Sequence, residues 1–337
     1  MCGRTACTNP RNSIRRACAY RNSHGNVEKP RWRQVKGGKT AAYETSYNVC
    51  PGNTTPVMVS ANSFKDKQDE EVETVTEETE FVLQPMRWGL IPSWYNGPPE
   101  KFSFSTINCR ADSINSKNMF KTPLSKGRRC VVVVDGFFEW KKDAAGKKQP
   151  YFVHFPWNDT DTGNDSEKQP QDPCVADDVV DNDDDDGNGD KGKEKDWNGK
   201  RLLTMAGVFD VNKTDSGKPL YSYSVITVDA SKPMSAIHTR MPAILEGEDE
   251  IRQWLDSGNT PLEKAIELLS PKSGVEMFPV STIVNNVRNK SDECVKPIDL
   301  GKKPVKNTLM TSWLKNAQKH KTDEPDPSEP EVKKPKP

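Results

Sequence analysis

Residues 159–190 hold thirteen aspartates and glutamates against one lysine, and no protein interior can take up such a run. Any fold must therefore be assembled from the sequence on either side of it. The whole stretch from about 157 to 200 lacks core-forming residues and reads as an acidic, disordered insertion. A second charged segment, about 61–79, reads as a disordered loop, and the sequence from 301 to 337 as a flexible tail. A hydrophobic content of 33% and a mean hydropathy of −0.83 fit this division, being too polar for 337 uniformly folded residues. The neutral net charge is a sum of opposites. Outside the acidic run stand 48 basic and 36 acidic residues, so the folding part is basic and suits a polyanionic partner.

Between the charged stretches lie short strand-like runs. RCVVVVDGFFEW is a β-branched run ending at an Asp-Gly turn. PYFVHF, RLLTMAGVFD, LYSYSVITVDA and EMFPVSTIVNNV have strand length and apolar character. EDEIRQWLDSG predicts a helix closed by glycine. TPLEKAIELLS predicts another, with Thr260, Pro261 and Glu263 arranged as a capping box. There is no βαβ alternation and no repeat. The pattern is that of one α+β domain built on a mainly antiparallel sheet.

Several chemistries drop out. The eight cysteines form no CxxC pair and the four histidines are scattered, so no metal centre or cofactor is expected. GGKT at 37–40 lacks the first glycine of a phosphate loop, since Arg33 stands at that place. No apolar run reaches transmembrane length and the arginine-rich first thirty residues have no hydrophobic signal core, so an intracellular protein without a membrane partner is expected.

The chain opens MCGRTAC. Removal of Met1 leaves Cys2 with an α-amine and a thiol on adjacent carbons, a pair of nucleophiles that no internal cysteine offers. Four further segments are dense in chemistry: SYNVCPG (46–52), MRWGLIPSW (86–94), INCRADS (107–113) with DGFFEW (135–140), and AIHTRMPAIL (236–245). In this order they resemble the SOS-response-associated peptidase family, over residues 2–300. The resemblance implies a single domain on a mainly antiparallel, barrel-like sheet with flanking helices. It also implies a DNA-damage enzyme of the nucleus, acting at replication forks on abasic sites in single-stranded DNA. Its Cys2 forms a covalent thiazolidine with the lesion sugar.

Residue roles follow from the same resemblance. Cys2 is the nucleophile, Glu139 the proton carrier, His238 the acid for the sugar ring oxygen, and Asn108 positions the nucleophile or a phosphate. Arg4, Asn48, Arg110 and Arg240 are expected at the DNA, with Trp88 and Trp140 lining its channel. Trp94 is assigned to the core, and His24, His154 and His320 to structure or surface. Phe138 stands where the family commonly has tyrosine. Two other readings stay open: an autocatalytic cysteine peptidase using the same residues, and a non-enzymatic reader of modified cytosine in DNA. In the tail, Met310, Trp313 and Leu314 faintly resemble a sliding-clamp-binding peptide over 307–314, with Asn307 in place of its usual glutamine; a short amphipathic turn fits equally.

Overall fold

The computed structural model describes residues 2–33, 43–64, 79–102, 104–157, 199–213 and 218–301. The 61–79 loop lies largely outside this set, as do almost all of the acidic insertion, His320 and the candidate clamp peptide. Among the described residues the chain opens with β1 (Thr5–Cys7), α1 (Arg11–Ala17), and the two-residue strands β2 (Tyr20–Arg21), β3 (Val27–Glu28) and β4 (Arg31–Trp32). There follow β5 (Ser46–Val49), β6 (Thr54–Ser60), β7 (Phe81–Trp88), β8 (Asn108–Arg110) and α2 (Asn118–Ser125). Next come β9 (Arg129–Val134), β10 (Gly136–Lys142), β11 (Lys148–His154), β12 (Leu203–Lys213) and β13 (Pro219–Asp229). β14 (Arg240–Pro242), α3 (Glu248–Leu255), α4 (Leu262–Glu267) and β15 (Glu276–Pro279) complete the order.

Five strands close on themselves. β13, β12, β9, β6 and β7 are antiparallel neighbours in turn, and β7 returns to β13 in parallel through Ser222 opposite Arg87 and Tyr223 opposite Trp88. The fold is thus α+β around a mainly antiparallel barrel with flanking helices. β9 explains its own sequence: RCVVVV is buried at every position because the strand is covered on both faces. A second, antiparallel sheet runs β15-β11-β10-β1-β5. The described residues up to Ile298 belong to one compact unit.

The Asp-Gly step after β9 is not a hairpin turn. The chain leaves the barrel at Asp135 and enters the second sheet at Gly136. Asp135 fixes the corner by accepting from the Thr8 amide (2.8 Å), the Thr8 hydroxyl (2.6 Å) and the Asn9 amide group (2.7 Å). Gly136 is required there, since a Cβ would collide with the Val153 carbonyl and the Phe152 ring. The capping box also fails to form. Pro261, in extended conformation, occupies the N-cap of α4, so Thr260 falls one residue outside and makes no side-chain cap.

Candidate active site at the N-terminal strand

β1 is pinned between β5 and β10, with Thr5 opposite Phe137 and the Phe138 amide donating to the Arg4 carbonyl at 2.9 Å. This pairing draws the chain's beginning into the fold and leaves Cys2 only 1% exposed. Asn108 opens β8, which runs parallel to β13, and its Nδ2 donates to the Cys2 carbonyl at 2.7 Å. The two segments that most define the sequence motif thus meet directly.

Glu139 lies on β10 and is buried, with Oε1 accepting from the Trp140 amide at 3.2 Å. Burial first, and then the Glu139 charge, push the Cys2 thiol far above its ordinary value, so the sulfur is held protonated. Beside them opens a cavity of about 400 Å³ that Arg4, Glu139, Trp140 and His238 line together. The Arg4 guanidinium donates to the Asn48 side-chain oxygen and to the Val284 carbonyl, each at 2.7 Å, and lies 5.8 Å from the centre of the Trp140 ring. Trp140 Nε1 donates to Asn285 Oδ1 at 2.7 Å, which holds the indole at the rim.

His238 comes from the turn before β14. Its Nδ1 lies 3.0 Å from the Arg240 amide nitrogen and 3.3 Å from the Arg240 carbonyl, so the backbone of that turn fixes the orientation of the ring. Arg240 is nearly buried. Its guanidinium donates to Asp229 Oδ1 and to the Thr227 carbonyl, each at 2.7 Å, and lies 3.6 Å from Asp112. Arg110 is exposed and grips Asp112 with Nε and Nη2. The hydrogen bond from Arg110 holds the Asp112 carboxyl below its usual range.

Cys2, Asn108, Glu139, His238, Arg4 and Trp140 therefore converge, with Arg110 and Arg240 joined through Asp112. Other expectations are corrected. Asn48 is fully buried, and its Nδ2 donates to the carbonyls of Val284, Asn286 and Asn289, so it organises that loop and holds Arg4 rather than facing DNA. Trp88 is 1% exposed, stacks on Tyr223 and donates to the Ile107 carbonyl; closure of β7 onto β13 places it in the core, not in a channel. Trp94 is the reverse, 55% exposed with its ring against Phe102. Sequence reasoning missed Asp112 and Asn285, and also Lys142 and Lys148, which complete the cavity lining. The paired lysines of WKKDAAGKKQP were the available signal for the last two.

Among the described residues no group of His, Cys, Asp and Glu gathers as metal ligands, and no helix is long and apolar enough to cross a membrane.

Comparison with known proteins agrees with the motif order. A family model described as SOS response associated peptidase (SRAP) matches residues 1–287. "Abasic site processing protein HMCES" of Xenopus tropicalis is 41% identical over 330 residues, covering 96% of this chain and 88% of that protein. The Gallus gallus protein of the same name is 43% identical over 325 residues, covering 94% and 85%. A crystal structure of a Bacteroides thetaiotaomicron protein shares the fold, with a TM-score of 0.51 at 21% identity over 75% of this chain and 86% of that one.

Proposed function

The chain belongs to the SOS response associated peptidase family, and from that premise we propose that it captures abasic sites in single-stranded DNA as a covalent thiazolidine through Cys2. The name carried by its long-range relatives points to the lesion. The observation that carries the chemistry is the Asn108 amide on the Cys2 carbonyl, which fixes the chain's beginning beside Glu139 and an open cavity.

Loss of Met1 frees the Cys2 α-amine. The amine adds to C1′ of the ring-opened deoxyribose, giving a carbinolamine that loses water to become an imine. The S–H then adds across C=N: sulfur bonds to carbon and the thiol proton ends on the ring nitrogen. Amine, thiol and aldehyde thus yield thiazolidine and water, and no oxidant enters. The ring closure is intramolecular and correspondingly favoured. Glu139 takes the proton released on amine addition and returns it to the departing hydroxyl. As the sugar ring opens, the C1′ hydroxyl gives its proton to a water and the ring oxygen takes one from the His238 imidazolium, which the water then restores. Arg4, Arg110 and Arg240 hold the strand by its phosphates, and Trp140 offers an indole face without reading sequence.

Burial and the Glu139 charge both favour a neutral sulfur, which suits a sequence in which nitrogen attacks first. The peptidase reading would need a thiolate at the same place. The adduct shields the lesion from strand cleavage. We place the activity in the nucleus at replication forks, where single strands are exposed, with residues 307–314 as the candidate clamp contact.

The test is a denaturing gel of the protein, with Met1 removed, and a single-stranded oligonucleotide bearing an abasic site. A heat-stable shifted band is expected from wild type and not from Cys2→Ala or from protein that keeps Met1. Absence of the band from wild type ends the proposal.

A further inference from the structure

The free end of the β10–β11 hairpin reads KKDAAGKK and carries Lys141, Lys142, Lys147 and Lys148. Its register sets Lys142 directly opposite Lys148, so both side chains leave one face of the sheet. Trp140 stands on that face two residues earlier, opposite Pro150. Like charges placed directly across a ladder are destabilising. Among the described residues neither Lys142 nor Lys148 forms an ion pair with a carboxylate, as Lys272 and Lys296 do. The one acid of the loop is committed elsewhere, because Asp143 Oδ1 accepts the amides of Ala145 at 2.9 Å and Lys147 at 2.8 Å. Both opposed lysines nevertheless line the cavity that Glu139 and His238 share.

We propose that Lys142 and Lys148 form a phosphate subsite that holds the backbone of the DNA strand next to the captured lesion. The proposal rests on the reading that the cavity receives a DNA strand. A phosphodiester set between two ammonium groups turns their repulsion into attraction for one ligand. Lysine is suited to this as a point charge that asks for no particular base. Trp140, on the lysines' face and in the same cavity lining, gives the neighbouring sugar or base a flat apolar face. Arg110 and Arg240 belong to β8 and β14 of the barrel sheet, so the lysine pair supplies phosphate contacts from the other sheet.

The experiment measures binding of a single-stranded oligonucleotide carrying an unreactive abasic analogue, across a range of salt. Wild type is compared with Lys142→Gln/Lys148→Gln and with a control, Lys121→Gln/Lys264→Gln, that removes the same charge elsewhere. Each phosphate contact to single strands contributes about 0.7 to the slope of log affinity on log salt. The paired variant, which loses one phosphate contact, is therefore expected to lose about 0.7 from that slope and roughly tenfold in affinity at low salt. The control is expected to keep its slope. Lys142→Glu provides an independent reading: it converts repulsion into attraction, so its Tm rises while its DNA binding weakens. An unchanged slope in the paired variant, or an equal fall in the control, overturns the subsite. The abasic-capture reading is judged separately, since it stands or falls on whether wild type forms the adduct with a reactive oligonucleotide.

Discussion

The side-chain amide of Asn108 holds the carbonyl of Cys2 at 2.7 Å across 106 residues of sequence. That bond holds the carbonyl end of Cys2 and so helps fix the direction in which its nitrogen is presented. Asn108→Ala removes the donor and leaves a buried carbonyl without it, at a stability cost of about 1–3 kcal/mol. Misplacing a nucleophile by a fraction of an ångström slows a positioned reaction far more than it weakens the fold. Adduct formation should fall on the order of 10–100-fold with DNA affinity nearly kept. Single-turnover gels beside equilibrium binding separate the two, and equal losses in both would assign Asn108 to DNA binding instead.

Glu139 acts on Cys2 in two opposed ways, and Glu139→Gln separates them. Its charge helps hold the thiol protonated, second to burial. Neutralising it lowers the thiol pKa, so alkylation of Cys2 at a fixed pH near 8 should become faster. Proton transfer during imine formation is lost at the same time, and thiazolidine formation should slow about 10²–10⁴-fold. Faster alkylation with slower crosslinking is the expected pair of results. If both rates fall together, Glu139 supports structure rather than proton transfer.

Which parts of this site the sequence reveals depends on how local the physics is. Cys2 is legible because its chemistry follows from its place at the start of the chain. The barrel strands are legible because burial on both faces writes itself as runs such as RCVVVV. Trp88 and Trp94 show where such reading stops. Six residues apart in one motif, they take opposite environments because β7 closes onto β13 at Trp88 and the chain then leaves the barrel. No periodicity records that closure. Asn48 misleads similarly, since its partners Val284, Asn286 and Asn289 lie more than 230 residues away. The Asp-Gly step resembles a hairpin and is a corner between sheets because Asp135 finds its donors on Thr8 and Asn9.

On the proposed function, Asp112 competes with DNA for Arg110. The pair is exposed on both sides, so water screens it and it is readily exchanged for another partner. Asp112→Asn frees the Arg110 fork for phosphate and removes a negative charge lying 3.6 Å from Arg240. DNA affinity should rise, by about fivefold at most, with a steeper salt dependence. Weaker binding in the variant would show that Asp112 serves instead to preorganise the two arginines, and titration by fluorescence anisotropy decides the sign.

His154 sets a pH limit on the second sheet. Its ring is 1% exposed, stacked 4.3 Å from Trp157 between that ring and Phe152, with Nδ1 on the Phe155 carbonyl at 2.6 Å. Burial lowers its pKa below the ordinary 6.5. The neighbouring charges act oppositely, Glu276 favouring the imidazolium and Lys200 opposing it, and burial outweighs both. As pH falls below about 6.5 the unfolded chain binds a proton that the folded chain refuses, so stability must decline. The loss approaches at most about 1.4 kcal/mol per pH unit until the folded pKa is reached. His154→Phe keeps the ring stack and abolishes the titration. Thermal melts from pH 7 to 5 should therefore show a falling Tm in wild type and a flatter profile in the variant; parallel profiles would place the acid sensitivity elsewhere in the fold.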